Sequence, residues 1–108
     1  MKTEVITEQE TLVIRRMVLE PGEKMFWHRD ACNRFTVVVS GDRLLIEYQD
    51  SSDRVEVTVQ PGLADWEEPE SRVHRTVNTG CEVYEEVVMF FRDSAEVEPQ
   101  PGHAFHKL

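Results

Sequence analysis

The stretch RLLIEYQDSSDRVEVTV, residues 43–59, holds two apolar runs of period two on either side of a polar turn. Leu44, Ile46 and Tyr48 recur at every second position. After Asp50, Ser51, Ser52 and Asp53, the valines Val55, Val57 and Val59 alternate with Arg54, Glu56, Thr58 and Gln60. Alternate side chains of an extended chain point to opposite faces, so the pattern predicts two strands, each buried on one face, joined by a turn. A helix would space its apolar residues by three and four, and no segment longer than ten residues does so convincingly.

The same punctuation recurs along the chain. Apolar runs at residues 11–19, 24–28, 35–39, 63–66, 73–77 and 82–91 are separated by turn residues such as Pro21-Gly22, Ser40-Gly41-Asp42 and Pro61-Gly62. Residues 29–34 and 67–70 read as polar connections. Gly22, Gly41, Gly62 and Gly80 all fall at turn positions where a positive φ is expected. Composition agrees: 15 valines against 4 alanines favour pleated surfaces over helices. Eight or nine short strands at even spacing predict an all-β sandwich, jelly roll or small barrel.

A chain of 108 residues has room for one domain, here 1–108, with a core over about 11–92 and an extended tail over 93–108. Twelve Lys+Arg against 21 Asp+Glu leave a net charge of −9, which repels phosphate backbones and anionic headgroups. Nucleic acid and membrane are therefore excluded as expected partners. No apolar run reaches the ~18 residues of a membrane span. The charged start MKTEVITEQE has no apolar signal core, so a cytoplasmic location is expected. Cys32 and Cys81 are too few and too far apart for a disulfide framework or zinc ribbon, and read as free thiols.

Chemistry concentrates in His28, Asp30 and His74. His28 and Asp30 are two apart, which on a strand places both on one face about 6.5–7 Å apart along the chain. If a barrel brings the strand of His74 beside them, two imidazoles and a carboxylate meet on one side of an ion. That set suits non-haem Fe(II), with Mn(II), Ni(II) or Zn(II) also compatible, and leaves positions open for a ligand. The bland alternative is a solvated His-x-Asp beside Arg29. His103 and His106 in the tail read as exposed imidazoles, and no phosphate-binding loop, dinucleotide fingerprint or nucleophile elbow is present.

The segment Gly22-x5-His28-x-Asp30-x3-Arg34-x6-Gly41 resembles the first motif of the cupins, G-x5-H-x-H-x3-E-x6-G. Gly62-x6-Pro69-x-Ser71-x2-His74-x3-Asn78 is similar to the second, G-x5-P-x-G-x2-H-x3-N, with one inserted residue and Ser for Gly. The resemblance spans about residues 11–91. It implies a double-stranded β-helix (jelly-roll) barrel with any metal site in its mouth, His28 and His74 matching family ligands and Asp30 replacing a histidine. Arg34 stands where the family has its glutamate, and a guanidinium cannot ligate. It either pairs with Asp30 in a metal-free site, or it points away or binds an anionic substrate beside a metal held by His28, Asp30 and His74.

The expected function is thus a small cupin that holds a divalent metal and a small metabolite, with dioxygenase, isomerase and lyase chemistry all compatible with such a barrel. The rival is a metal-free, non-catalytic binding or structural module. Arg34, Trp27 and Trp66 are candidate ligand-binding residues, the tryptophans as pocket lining or else as core. Glu85, assigned to the inward face of the last run, is a candidate replacement for the missing carboxylate, and Cys32 is within reach of the site or a packed thiol. Val87, Val88, Phe90 and Phe91 make both faces of that run apolar, which predicts a cover by a second sheet or a dimer partner, and a homodimer is expected.

Overall fold

The alternation produces nine strands over residues 1–92, which are the residues that the computed structural model describes. They are β1 (Lys2–Glu8), β2 (Leu12–Leu19), β3 (His28–Asp30), β4 (Asn33–Ser40), β5 (Arg43–Tyr48), β6 (Arg54–Thr58), β7 (Ala64–Glu67), β8 (Glu70–Asn78) and β9 (Tyr84–Phe91). The expected tail, with His103 and His106, lies outside the described residues. One sheet has the order β1-β2-β9-β4-β7 and the other β3-β8-β5-β6. Every ladder is antiparallel. The two sheets face each other in a jelly roll, as the spacing of runs predicted.

Three boundaries differ from the sequence reading. Residues 2–8 were read only as a charged start, yet they form β1 on the edge of the larger sheet, largely exposed. Polar residues on both faces removed the alternation signal. The run at 24–28 is not a strand: Lys24 makes an isolated bridge to Val77, and the strand itself is His28–Asp30. The supposed loop at 67–70 contains the end of β7 and the start of β8.

Two buried clusters form the interior. Met17, Leu19, Val38, Leu44, Val59 and Tyr84 make one, and Val13, Cys32, Val88 and Phe90 the other. Each fully buried aliphatic side chain contributes roughly 1.5–3 kcal/mol. Cys32 is therefore a packed thiol of the core, while Cys81 is exposed. Asn78, at the end of the second motif, is 1% exposed and fully satisfied. Its amide donates to the Leu19 and Glu82 carbonyls, and its oxygen accepts from the Gly80 N–H.

Gly80 is not a positive-φ turn residue, contrary to the sequence reading; among the described glycines only Gly22, Gly41 and Gly62 are. It is glycine because a Cβ there would lie 1.8 Å from the Asp42 carboxylate, which accepts from the Cys81 and Glu82 N–H groups.

Candidate metal and ligand site

Between the sheets lies a cavity of about 270 Å³. Its walls are mostly apolar, with Met17, Met25, Ile46, Val57, Val88 and Phe90 among them. One polar cluster interrupts them, formed by β3 and β8. These strands pair so that His28 sits opposite His74, with a register shift before Asp30 reaches Glu70. The ladder thus brings together residues 46 positions apart, and the imidazole centroids are 4.6 Å from each other. His28, Asp30 and His74 offer ligand atoms that all lie within 4.8 Å of one another, and all three are buried.

Tautomer geometry decides what this cluster offers. The Nδ1 of His28 lies 2.9 Å from the Phe26 carbonyl, and that of His74 lies 2.8 Å from the Arg72 carbonyl. A carbonyl only accepts, so each Nδ1 carries the proton and each Nε2 faces the centre. A backbone carbonyl behind each ring is the usual way a metal-ligating imidazole is oriented. Asp30 Oδ2 lies 2.9 Å from His74 Nε2 and 3.8 Å from His28 Nε2, the first a hydrogen bond and the second a charge contact only.

Without an ion the cluster shares protons. Burial pulls the His74 pKa down, but the bond to Asp30 and the Arg72 carbonyl outweigh it, so it ends above the usual histidine range. For Asp30, burial pushes upward and is outweighed by His74 and Arg34, leaving it below the usual carboxylate range. His28 goes the other way: burial lowers it more than Asp30 and the Phe26 carbonyl raise it. The geometry thus favours a proton on the His74 side of the His74–Asp30 bond and disfavours one added to His28.

Arg34 turns inward to Asp30, with Nη2 at 3.2 Å from Oδ2. This is the pairing of the metal-free alternative. The same Nη2 lies 3.0 Å from Glu67 Oε1, and Nη1 donates to the Glu68 carbonyl. Glu67 faces Arg34 across the β4–β7 ladder, so two carboxylates share one guanidinium. With neutral imidazoles, Asp30, Glu67 and Arg34 sum to −1 − 1 + 1 = −1, and the cluster keeps a negative charge for a cation. A guanidinium ~5 Å from a cation opposes it by about 3 kcal/mol per unit charge at an effective dielectric of 20. Glu67, paired with the same guanidinium at 3.0 Å, offsets part of that. The donor set therefore fits a divalent metal despite Arg34.

The remaining candidates fall elsewhere. Glu85 is not inward: it points outward and binds Arg16 at 2.6 Å. The inward carboxyl is Glu86, which lines the cavity with Tyr84, Val88 and Phe90. Burial pushes Glu86 up to about 7, against the pull of the hydrogen bond that Tyr84 donates to it. Both faces of this run are apolar, so its phase was ambiguous in the sequence. The tryptophans do not line the cavity, a correction to that expectation. Trp27 lies under the Arg75 guanidinium, 4.0 Å away, on the outer side of the smaller sheet. Trp66 is 53% exposed and packs on Phe91, with centroids 5.4 Å apart, on the outer side of the larger. Odd and even positions of β7 face opposite ways, and Asp65 and Glu67 take the inner face.

The sequence matches no protein-family model and no curated protein. Its fold matches solved structures closely. A cupin domain from Bordetella pertussis Tohama I superposes with a TM-score of 0.73 at 20% identity, over 83% of this chain and 91% of that one. An RmlC-like cupin family protein with a double-stranded β-helix fold from Methanocaldococcus jannaschii gives 0.68 at 16%, over 89% and 84%. A conserved protein with a double-stranded β-helix domain from Klebsiella pneumoniae gives 0.64 at 20%, over 86% and 78%. The chain has the cupin fold, a small double-stranded β-helix domain. Among the described residues no helix is long and apolar enough to cross a membrane.

Proposed function

We propose that this protein binds a divalent metal at His28, Asp30 and His74 and a small metabolite in the adjoining cavity. The observation that carries the reading is the pair of carbonyl-held Nδ1 atoms, which turns both Nε2 atoms onto the Asp30 carboxylate. Fe(II), Mn(II), Ni(II) and Zn(II) all suit two imidazoles and a carboxylate. Such an ion acts as a Lewis acid toward an oxygen of a bound ligand. Arg34 keeps Asp30 oriented, and the apolar walls exclude water from the ligand. Two cysteines not joined in a disulfide favour the reducing cytoplasm.

Metal competes with the proton that Asp30 and the Arg72 carbonyl hold on His74, so uptake releases protons and strengthens as pH rises through and above the usual histidine range. Elemental analysis and metal titration of protein purified without chelator check this. His74→Ala should abolish uptake, and His103→Ala should leave it intact. Equal loss in both would put the ion on the tail, and no uptake by the parent protein would leave the Asp30–Arg34 pair of a metal-free binding module.

A homodimer formed through the outer face of the five-stranded sheet belongs to the same reading. Ile14, Met89, Phe35 and Trp66 line up there in one cross-strand row without a charge. Its border carries both signs, in the Arg16–Glu85 pair, so that two-fold related copies meet with complementary charge.

A further inference from the structure

Arg15 is the second arginine of the cavity wall. In β2 the buried positions are Val13, Met17 and Leu19, and Arg15 shares their inward phase. It lies opposite Val88, itself buried, and lines the cavity. The other cations around that space are committed. Arg34 is held by Asp30 and Glu67, Arg16 by Glu4 and Glu85, and the N-terminal ammonium by Glu23. The Arg15 guanidinium makes no hydrogen bond or ion pair among the described residues, and Glu8 acts on it only through space. Partial burial of this charge lowers its pKa, because the charged form has lost water without gaining a partner.

We propose that Arg15 is the anion-recognition residue of the cavity, taking the carboxylate of a small organic acid. The inference rests on the proposed ligand site and names its substrate class. Arg15 belongs to the larger sheet and the His28–Asp30–His74 cluster to the smaller, and facing sheets lie about 10 Å apart. A ligand spanning them meets a guanidinium at one end and the metal cluster at the other. Its middle runs past Met17, Val88 and Phe90.

The guanidinium fork matches a carboxylate with two parallel hydrogen bonds. Charge balance favours a carboxylate over a phosphate. Asp30, Asp65, Glu67 and Glu86 already line the cavity, and one unpaired guanidinium offsets a single negative charge. The volume of about 270 Å³ sits below the range for drug-sized ligands, which limits the acid to a compact one. The anion-binding role expected of Arg34 thus passes to Arg15, since the charge of Arg34 is already shared by the Asp30 and Glu67 carboxylates.

The test is NMR titration of the Arg15 Nε–Hε signal with acetate, butyrate, hexanoate and 2-hydroxybutyrate. Their methyl esters and inorganic phosphate are run beside them. Saturable shifts are expected with one or more acids and none of the esters. Arg15→Met should weaken that acid at least tenfold, and Arg15→Lys less, because charge is kept and the fork is lost. Because the charge is unpartnered, Arg15→Met should melt no lower than the parent protein. The proposal is overturned if no acid shifts Arg15 at millimolar concentration, if only phosphate does, or if Arg15→Met binds as tightly or melts several degrees lower. Each titration is run in EDTA and with added Zn(II). Acid binding without metal uptake overturns the metal reading alone, and metal uptake without acid binding overturns the role of Arg15 alone.

Discussion

Glu86 shows how one residue couples the cavity to stability. Its carboxyl is raised to about 7 in the folded protein from an ordinary 4.5, chiefly by burial. Below pH 4.5 it is protonated in both states, and its environment costs nothing. As pH rises toward 7 the unfolded chain ionises while the folded one keeps its proton, so stability falls, and above 7 the penalty is constant. The difference, 7 − 4.5, corresponds to roughly 3 kcal/mol at most. Glu86→Gln removes the titration and still accepts the Tyr84 hydroxyl. Urea unfolding should show it about 2 kcal/mol more stable than the parent protein at pH 8, and little different at pH 4.5. The same difference at both pH values would mean that the effect is packing and not ionisation. A carboxyl kept at that cost in the wall of a ligand cavity is consistent with a functional site.

At the scale of elements, register does what side-chain identity alone does not. The β4–β7 ladder sets Glu67 opposite Arg34, and the β3–β8 ladder sets His28 opposite His74. A one-residue slip in either would turn the partner to the other face. In the proposed metal site, Glu67 is the carboxylate that offsets the charge of Arg34 beside Asp30. Glu67→Gln should therefore weaken Zn(II) binding about tenfold, a loss of ~1.4 kcal/mol. Glu68→Gln should not, since only the Glu68 carbonyl touches Arg34. Zn(II) titration by competition with a chromogenic chelator measures both, and equal affinities for Glu67→Gln and the parent protein would refute the neutralising role. His28 and Asp30 were readable as a same-face pair because a period of two is local. Glu67 reads as part of a solvated run able to pair with Arg34, Arg72 or Arg75 at the rim, and only the ladder, which joins positions 33 apart (67 − 34), selects Arg34.

For the whole molecule, the central strands β2, β9 and β4 of the larger sheet carry apolar side chains on both faces. Its inner face walls the cavity, and its outer face carries the row Ile14–Met89–Phe35–Trp66. Trp66 is exposed there, and exposed Val39 extends the patch. Large contiguous apolar patches on a folded chain mark contact surfaces. Met89→Lys puts a charge in the middle of the row without touching the cavity. In sedimentation velocity the parent protein should run as a dimer and Met89→Lys as a monomer, with metal uptake unchanged in both. A parent protein that sediments as a monomer at high micromolar concentration would remove the dimer from the reading.

By itself the sequence determined the all-β class, the jelly-roll resemblance and the candidate trio His28, Asp30 and His74. These follow from period-two alternation and from short spacings, which depend on local backbone geometry. It also raised the question of Arg34 without answering it. Only the tertiary structure decided that Arg34 is shared between Asp30 and Glu67. It alone showed that Glu86 and not Glu85 faces inward, that the tryptophans lie outside the cavity, and that Arg15 stands in the wall unpartnered. The reason is physical: the phase of a strand apolar on both faces, and the partners of a charge, are set by which strands lie across from it. Those pairings join residues tens of positions apart.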